Sequence, residues 1–119
     1  TEDIEHQNIY FDYHLYRLRE ESVQTLEKIR DYLKTNPKYN VLLEGHTDFI
    51  SSDGFNMTLS RNRVNATANW LIQHGINSGR IQKKWYGKTQ PAVSNTNTDG
   101  TDNPDNRQKN RRVEITILK

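Results

Sequence analysis

The sequence predicts a two-layer α/β sandwich: a mixed four-stranded sheet with two long helices on one face. Three observations carry this expectation. Two stretches place apolar residues at helical steps of three and four, around 15–33 and 57–71. The last stretch alternates strictly, with Val113, Ile115 and Ile117 on one side and Arg112, Glu114 and Thr116 on the other. Short β-rich runs punctuate the rest, so the elements follow the order β-α-β-α-β-β. Two amphipathic helices and a sheet with one apolar face bury both faces by packing in two layers.

Each element has its own signal. Asn8 to Tyr13 is rich in β-formers and reads as the first strand. Leu15, Leu18, Ser22, Leu26, Ile29 and Leu33 form one stripe of the first helix. Glu20 and Glu21 lie early in it and Lys34 late, which suits the helix dipole, and Asn36-Pro37 ends it. Val41 to Gly45 is a short buried strand, followed by a polar loop from Thr47 to Phe55. The second helix runs from about Asn56 to His74 with Met57, Ser60, Val64, Ala68 and Leu71 inward, and Gly75 stops it. Arg80 to Gly87 reads as the third strand. Thr89 to Lys109 reads as loop, and Arg111 to Leu118 as the final strand.

The chain is 119 residues, the size of one domain, and 32% hydrophobic. Seventeen basic residues against fifteen acidic ones leave a net charge of +2, with both signs interleaved. That pattern is not a nucleic-acid surface, and no nucleic acid is expected as a partner. No apolar run is long enough to cross a membrane. The absence of cysteine excludes disulfides, thiolate zinc sites and a cysteine nucleophile. Residues 1–7 are polar and aperiodic and read as the end of a linker, leaving 8–119 as the domain. The start at Thr1 without Met suggests a processed product or an excised domain. Membrane attachment is expected only through a preceding N-terminal part.

The polar residues converge at Glu44-Gly45-His46-Thr47-Asp48, where Asp48 follows a buried strand and a glycine. Arg63 lies beside the apolar stripe of the second helix, so its stem can be buried while its head reaches the rim. Asp48 and Arg63 facing each other could hold a zwitterion between them. From spacing alone, the favoured reading is a plain salt bridge that pins the loop to the helix. Asn110-Arg111-Arg112 admits an anion site. It also admits one packed, paired arginine beside a solvated one, the reading we favour. His14 and His46 with Asp12 and Asp48 lack metal-binding spacing, and no metal is expected. Asp99, Asp102 and Asp105 miss the calcium-loop spacing, with Pro104 interrupting, so the loop 94–109 reads as solvated. No cofactor motif, nucleophile or acid–base pair is visible, and no catalysis is expected.

Five segments together resemble the OmpA-like domain, the peptidoglycan-binding module of outer-membrane proteins, peptidoglycan-associated lipoproteins and flagellar stator proteins. They are Ile9-Tyr10-Phe11-Asp12, Glu44 to Asp48, Asn56 to Val64, Gly75 through Tyr86-Gly87-Lys88-Thr89-Gln90-Pro91, and Asn110 to Glu114. The resemblance covers nearly the whole chain. It implies non-catalytic binding of the peptidoglycan stem peptide through its diaminopimelate residue. Asp48 would take the ammonium and Arg63 the carboxylate of that residue. Leu59, Asn56 and Thr47 match or adjoin positions lining the same cleft. The resemblance further implies a periplasmic domain of a diderm (Gram-negative) envelope, tying an outer-membrane protein to the cell wall.

Several positions depart from the family pattern. His14 and Leu15 stand where Asp or Asn and then Lys are usual, so His14 is a candidate donor to a ligand carboxylate and a candidate source of pH dependence. Tyr16 is a candidate pocket wall. Phe49 and Ile50 replace polar residues after Asp48. An alternative reading makes the domain a protein–protein or homodimer module, with Phe49, Ile50 and Phe55 as its contact. Loss of Asp48 or Arg63 is expected to abolish wall binding and leave the fold intact.

Overall fold

The computed structural model describes residues 4–90, 95–96, 98–99 and 101–119. The Pro91 end of the third-strand motif lies outside the described residues. So do residues 1–3 of the expected linker and positions 94, 97 and 100 of the polar loop. The described chain forms four strands and three α-helices. They are β1 (His6–Tyr10), α1 (Glu20–Thr35), β2 (Asn40–Gly45), α2 (Asp53–Gln73), β3 (Ile81–Trp85), α3 (Pro104–Asn110) and β4 (Arg112–Leu118). A 3₁₀ turn, Ser78–Arg80, leads into β3.

The sheet order is β1-β4-β2-β3. β4 runs antiparallel to both β1 and β2, and β2 and β3 are parallel, so the sheet is mixed. Alternation along β2 and β4 sends Val41 and Leu43, with Val113, Ile115 and Ile117, to one face. Leu26, Ile29 and Leu33 of α1 and Val64, Ala68 and Leu71 of α2 close over that face in a single core. This is the expected two-layer sandwich.

The boundaries differ from the sequence reading for local reasons. β1 begins two residues early, and Ile117 N–H continues the ladder by donating to the Glu5 carbonyl. α1 begins at Glu20, so Leu15 lies outside it and is exposed. His14 at φ 54° has left-handed backbone, which a right-handed helix does not admit. α2 begins at Asp53 because Ser52 Oγ accepts from Phe55 N–H and caps it. Its buried side is also wider than one stripe, including Asn56, Leu59, Arg63 and Thr67, while Met57 is turned outward. α3 lies within the stretch expected as loop. Asn103 caps it by accepting from Asn106 N–H, and Pro104 occupies its first turn.

Candidate functional site

Gly45 ends β2 against the second helix. A Cβ there would collide with the Ser60 carbonyl oxygen and lie 2.6 Å from Val64 Cγ2, so only glycine lets the strand end come this close to α2. The chain then turns inward. His46 N–H donates to the Arg112 carbonyl at 2.9 Å and Thr47 N–H to the Gly87 carbonyl at 2.8 Å. Gly87 N–H in turn donates to Ser60 Oγ at 3.0 Å. His46, Thr47 and Asp48 are each only 2% exposed, unusual for consecutive residues after a strand end.

Asp48 is held by two donors. Ile50 N–H reaches its Oδ1 at 3.0 Å, and Arg111 Nη1 its Oδ2 at 3.0 Å. Arg111 is fixed in turn by the Phe11 carbonyl and by Gln108 Oε1. The salt bridge of Asp48 is therefore with the residue between α3 and the last strand. Among the described residues Asp48 and Arg63 form no ion pair within 4 Å.

Arg63 is completely buried, and its head does not reach the rim. Its guanidinium donates to three carbonyls, those of Leu15 from Nε at 2.8 Å, His46 from Nη1 at 3.0 Å and Asp12 from Nη2 at 3.1 Å. Its Cζ stands 5.2 Å from the centre of the Phe11 ring. A guanidinium has five N–H groups, so among the described residues these three bonds leave two unspent. Burial, opposed by Asp48 and deepened by Arg111, lowers its pKa to about 9, and it stays charged at neutral pH. The buried groups Arg63, Arg111 and Asp48 thus carry one excess positive charge.

Asn56 is also fully buried. Its Nδ2 donates to the Ile50 carbonyl at 2.6 Å, while its Oδ1 has no hydrogen-bond partner among the described residues. Thr47 Oγ1 donates to the Asp48 carbonyl. Leu59, His14 and Tyr16 lie together around a surface pocket of about 200 Å³, with Phe55, Thr58 and Asn62. His14 Nε2 lies 2.9 Å from Ser51 Oγ, linking the segment after β1 to the loop after Asp48. Phe49 is exposed and Ile50 half-buried.

His46 has a different setting. It stacks on Tyr86 with ring centres 5.2 Å apart, and its Nε2 is 3.3 Å from Glu114 Oε2. Neither ring nitrogen makes a well-oriented hydrogen bond among the described residues. Burial, then the Arg112 charge, pushes its pKa down to about 4 against the opposing pull of Glu114, so it is neutral at pH 7. Arg112 meanwhile binds Glu114 through Nε and Nη2. Both arginines of the Asn-Arg-Arg run are thus buried and paired, where one solvated arginine was expected.

Sequence reasoning missed the part played by Arg111 and Gln108. The double arginine was visible, but its contact with Asp48 spans 63 positions and has no local signature.

The OmpA family model matches residues 10–111. The chain is 36% identical over 111 residues to the photosystem I P700 chlorophyll a apoprotein A2 of Gloeobacter violaceus, covering 93% of this chain and 13% of the relative. It is 31% identical over 111 residues to outer membrane porin F of Pseudomonas aeruginosa, covering 92% of this chain and 30% of the relative. It is 34% identical over 94 residues to the peptidoglycan-binding protein ArfA of Mycobacterium tuberculosis, covering 79% and 27%. The chain thus spans less than a third of the length of each of these relatives. Among solved structures, the peptidoglycan-associated lipoprotein of Burkholderia pseudomallei superposes with a TM-score of 0.82 at 22% identity, covering 93% of this chain and 89% of that one. The C-terminal domain of Helicobacter pylori MotB also gives 0.82, at 26% identity, covering 95% and 84%.

Proposed function

The chain belongs to the OmpA family, and from that premise we propose that it binds peptidoglycan without chemically changing it. The group recognised is the diaminopimelate of the stem peptide. One observation carries this reading: the buried groups Arg63, Arg111 and Asp48 set two guanidinium charges against one buried carboxylate, with the Asp12 carboxylate outside at the surface, and two Arg63 N–H groups have no acceptor among the described residues. A ligand carboxylate supplies the missing anion and accepts both donors in a fork. Each Asp48 oxygen has one donor and keeps lone-pair capacity for an ammonium. Diaminopimelate carries both groups on one side-chain end.

Arg63 and Asp48 are covered, Arg63 in part by the segment 12–16, whose Asp12 and Leu15 carbonyls it holds. On this reading the ligand reaches them by displacing that segment, which the His14–Ser51 contact joins to the loop after Asp48. Asn56, Thr47 and Leu59 form the inner wall, and His14 and Tyr16 the outer one. Two relatives support the wider reading by their names, a peptidoglycan-binding protein and an outer membrane porin. The domain would then work in the periplasm and tie an outer-membrane protein to the wall.

The test is calorimetric titration with a soluble stem peptide ending in diaminopimelate, beside one carrying lysine there. Lysine keeps the ammonium and lacks the carboxylate. The lysine peptide should bind about tenfold more weakly or worse, the loss of one charge-assisted contact. Equal affinity for the two peptides would contradict the assignment of Arg63.

A further inference from the structure

We propose that the free edge of β3, with the α2 face beside it, docks an extended acidic segment of a partner protein, which joins the sheet as an added strand. The surface is separate from the stem-peptide site, because Arg61 is exposed on α2 whereas Arg63 is buried. The proposal does not depend on wall binding.

The edge is open. β3 pairs with β2 on one side, and among the described residues no strand lies on its other side. Gln82 to Trp85 are all exposed. An open edge presents unpaired main-chain N–H and C=O groups, which a second extended chain can satisfy. The charge around this edge has one sign. No Asp or Glu occurs between Asp53 and Asp99, a stretch that supplies most of α2 and the whole of β3. Its basic residues divide by role. Arg63 and Arg80 are spent on main-chain carbonyls, and Lys88 pairs with Asp53. Arg61, Lys83 and Lys84 are exposed and form no ion pair among the described residues. Lys84 stands opposite Glu44 in the strand register, but that carboxylate accepts from Tyr86 Oη. The opposite edge of the sheet differs: β1 carries no Lys or Arg and has Glu21 beside it.

The cations are placed to read such a strand. Lys83 Nζ donates to Asn65 Oδ1 of α2 at 3.3 Å, and Arg61 Cζ is 5.9 Å from the centre of the Trp85 ring. Arg61, Lys83 and Trp85 therefore share the helix side of the edge, and alternation sends Lys84 to the other face. A strand laid along β3 meets a cation on each face and Trp85, 38% exposed, as an apolar anchor. Lysines on an edge turn away a basic strand, or the same edge of a second copy, by like-charge repulsion. Carboxylates on the incoming strand reverse that sign, so the edge selects an acidic partner over a neutral or basic one.

The probe is a labelled, end-capped peptide of alternating glutamate and valine, about eight residues long, titrated into the chain by fluorescence anisotropy. It should bind, and amide hydrogen exchange along β3 should slow when it does. Lys83→Glu combined with Lys84→Glu should weaken binding about tenfold or more, with an unchanged circular dichroism spectrum. A proline at the centre of the peptide removes a main-chain donor and should weaken binding by a similar factor. Absence of binding would overturn the proposal. So would equal binding of a lysine–valine peptide, or of the proline-interrupted one, since the first removes the role of charge and the second that of the main chain. Binding of phosphatidylglycerol vesicles through Arg61 and Lys83, with no peptide binding, would assign the surface to an anionic membrane instead. Self-association lost in the same double variant, with no peptide binding, would assign it to a second copy of the chain.

Discussion

Arg63 is the largest side chain in the fully buried set, and its position decides what its removal does. Arg63→Ala would take the donor from the Leu15 and His46 carbonyls, remove one of two donors to the Asp12 carbonyl and leave a cavity, at a cost of about 3–5 kcal/mol. The expectation that alanine variants keep the fold intact therefore changes. The melting temperature of Arg63→Ala should fall by about 10 °C or more in a scanning calorimeter. Arg63→Lys keeps the charge but cannot serve three carbonyls and a ligand, so it should lose binding with a smaller stability loss. His46 supplies a pH prediction. Its folded pKa of about 4 lies below the ordinary 6.5, so between these values the unfolded chain binds a proton that the folded chain refuses. This contribution is present above pH 6.5 and is lost as pH falls toward 4, on the order of 3 kcal/mol in all. Denaturant titrations from pH 7 to pH 4 should show that decline, and His46→Gln should flatten it. A wild-type profile as flat as the variant's would contradict the burial argument.

Elements were legible where one periodicity governed them. The stripe Ser22-Leu26-Ile29-Leu33 and the alternation Val113-Ile115-Ile117 each map onto a buried face. Leu15 and Leu18 extend the same period but do not join the helix, because Arg63 and the left-handed His14 draw that segment across the site. A tertiary contact overrode a local pattern there. The sequence Asn103-Pro104-Asp105 carried a helix-start signal for α3 that the polar composition around it obscured. Gly45 was visible as a motif residue, and its reason appears only when β2 meets α2. Gly45→Ala should force the strand end away from the Ser60 carbonyl and Val64, costing about 1–3 kcal/mol, measurable by urea unfolding. Arg80 closes the C-terminal end of α1 by donating to the carbonyls of Leu33, Asn36 and Tyr39. Arg80→Ala should cost about 1–3 kcal/mol by the same measurement, through the Leu33 and Tyr39 carbonyls, which lose its donors.

At the scale of the whole molecule, the sheet brings three distant segments to one point: the end of β2 with Asp48, the middle of α2 with Arg63, and the approach to β4 with Arg111. Asp48 and Arg63 were legible as site candidates from their motifs. Their separation into different hydrogen-bond networks was not, since it depends on Arg111 arriving from the far end of the chain. The proposed stem-peptide site, with its charges buried, predicts modest affinity for one stem peptide and much stronger retention on a polymer that offers many. The most direct test is co-sedimentation with purified, protein-free peptidoglycan of wild type, Asp48→Asn and Arg63→Lys, with circular dichroism on each. Wild type should pellet with the wall while both folded variants stay in the supernatant. Folded wild type remaining in the supernatant at low and moderate salt, or folded variants pelleting as wild type does, would contradict the account.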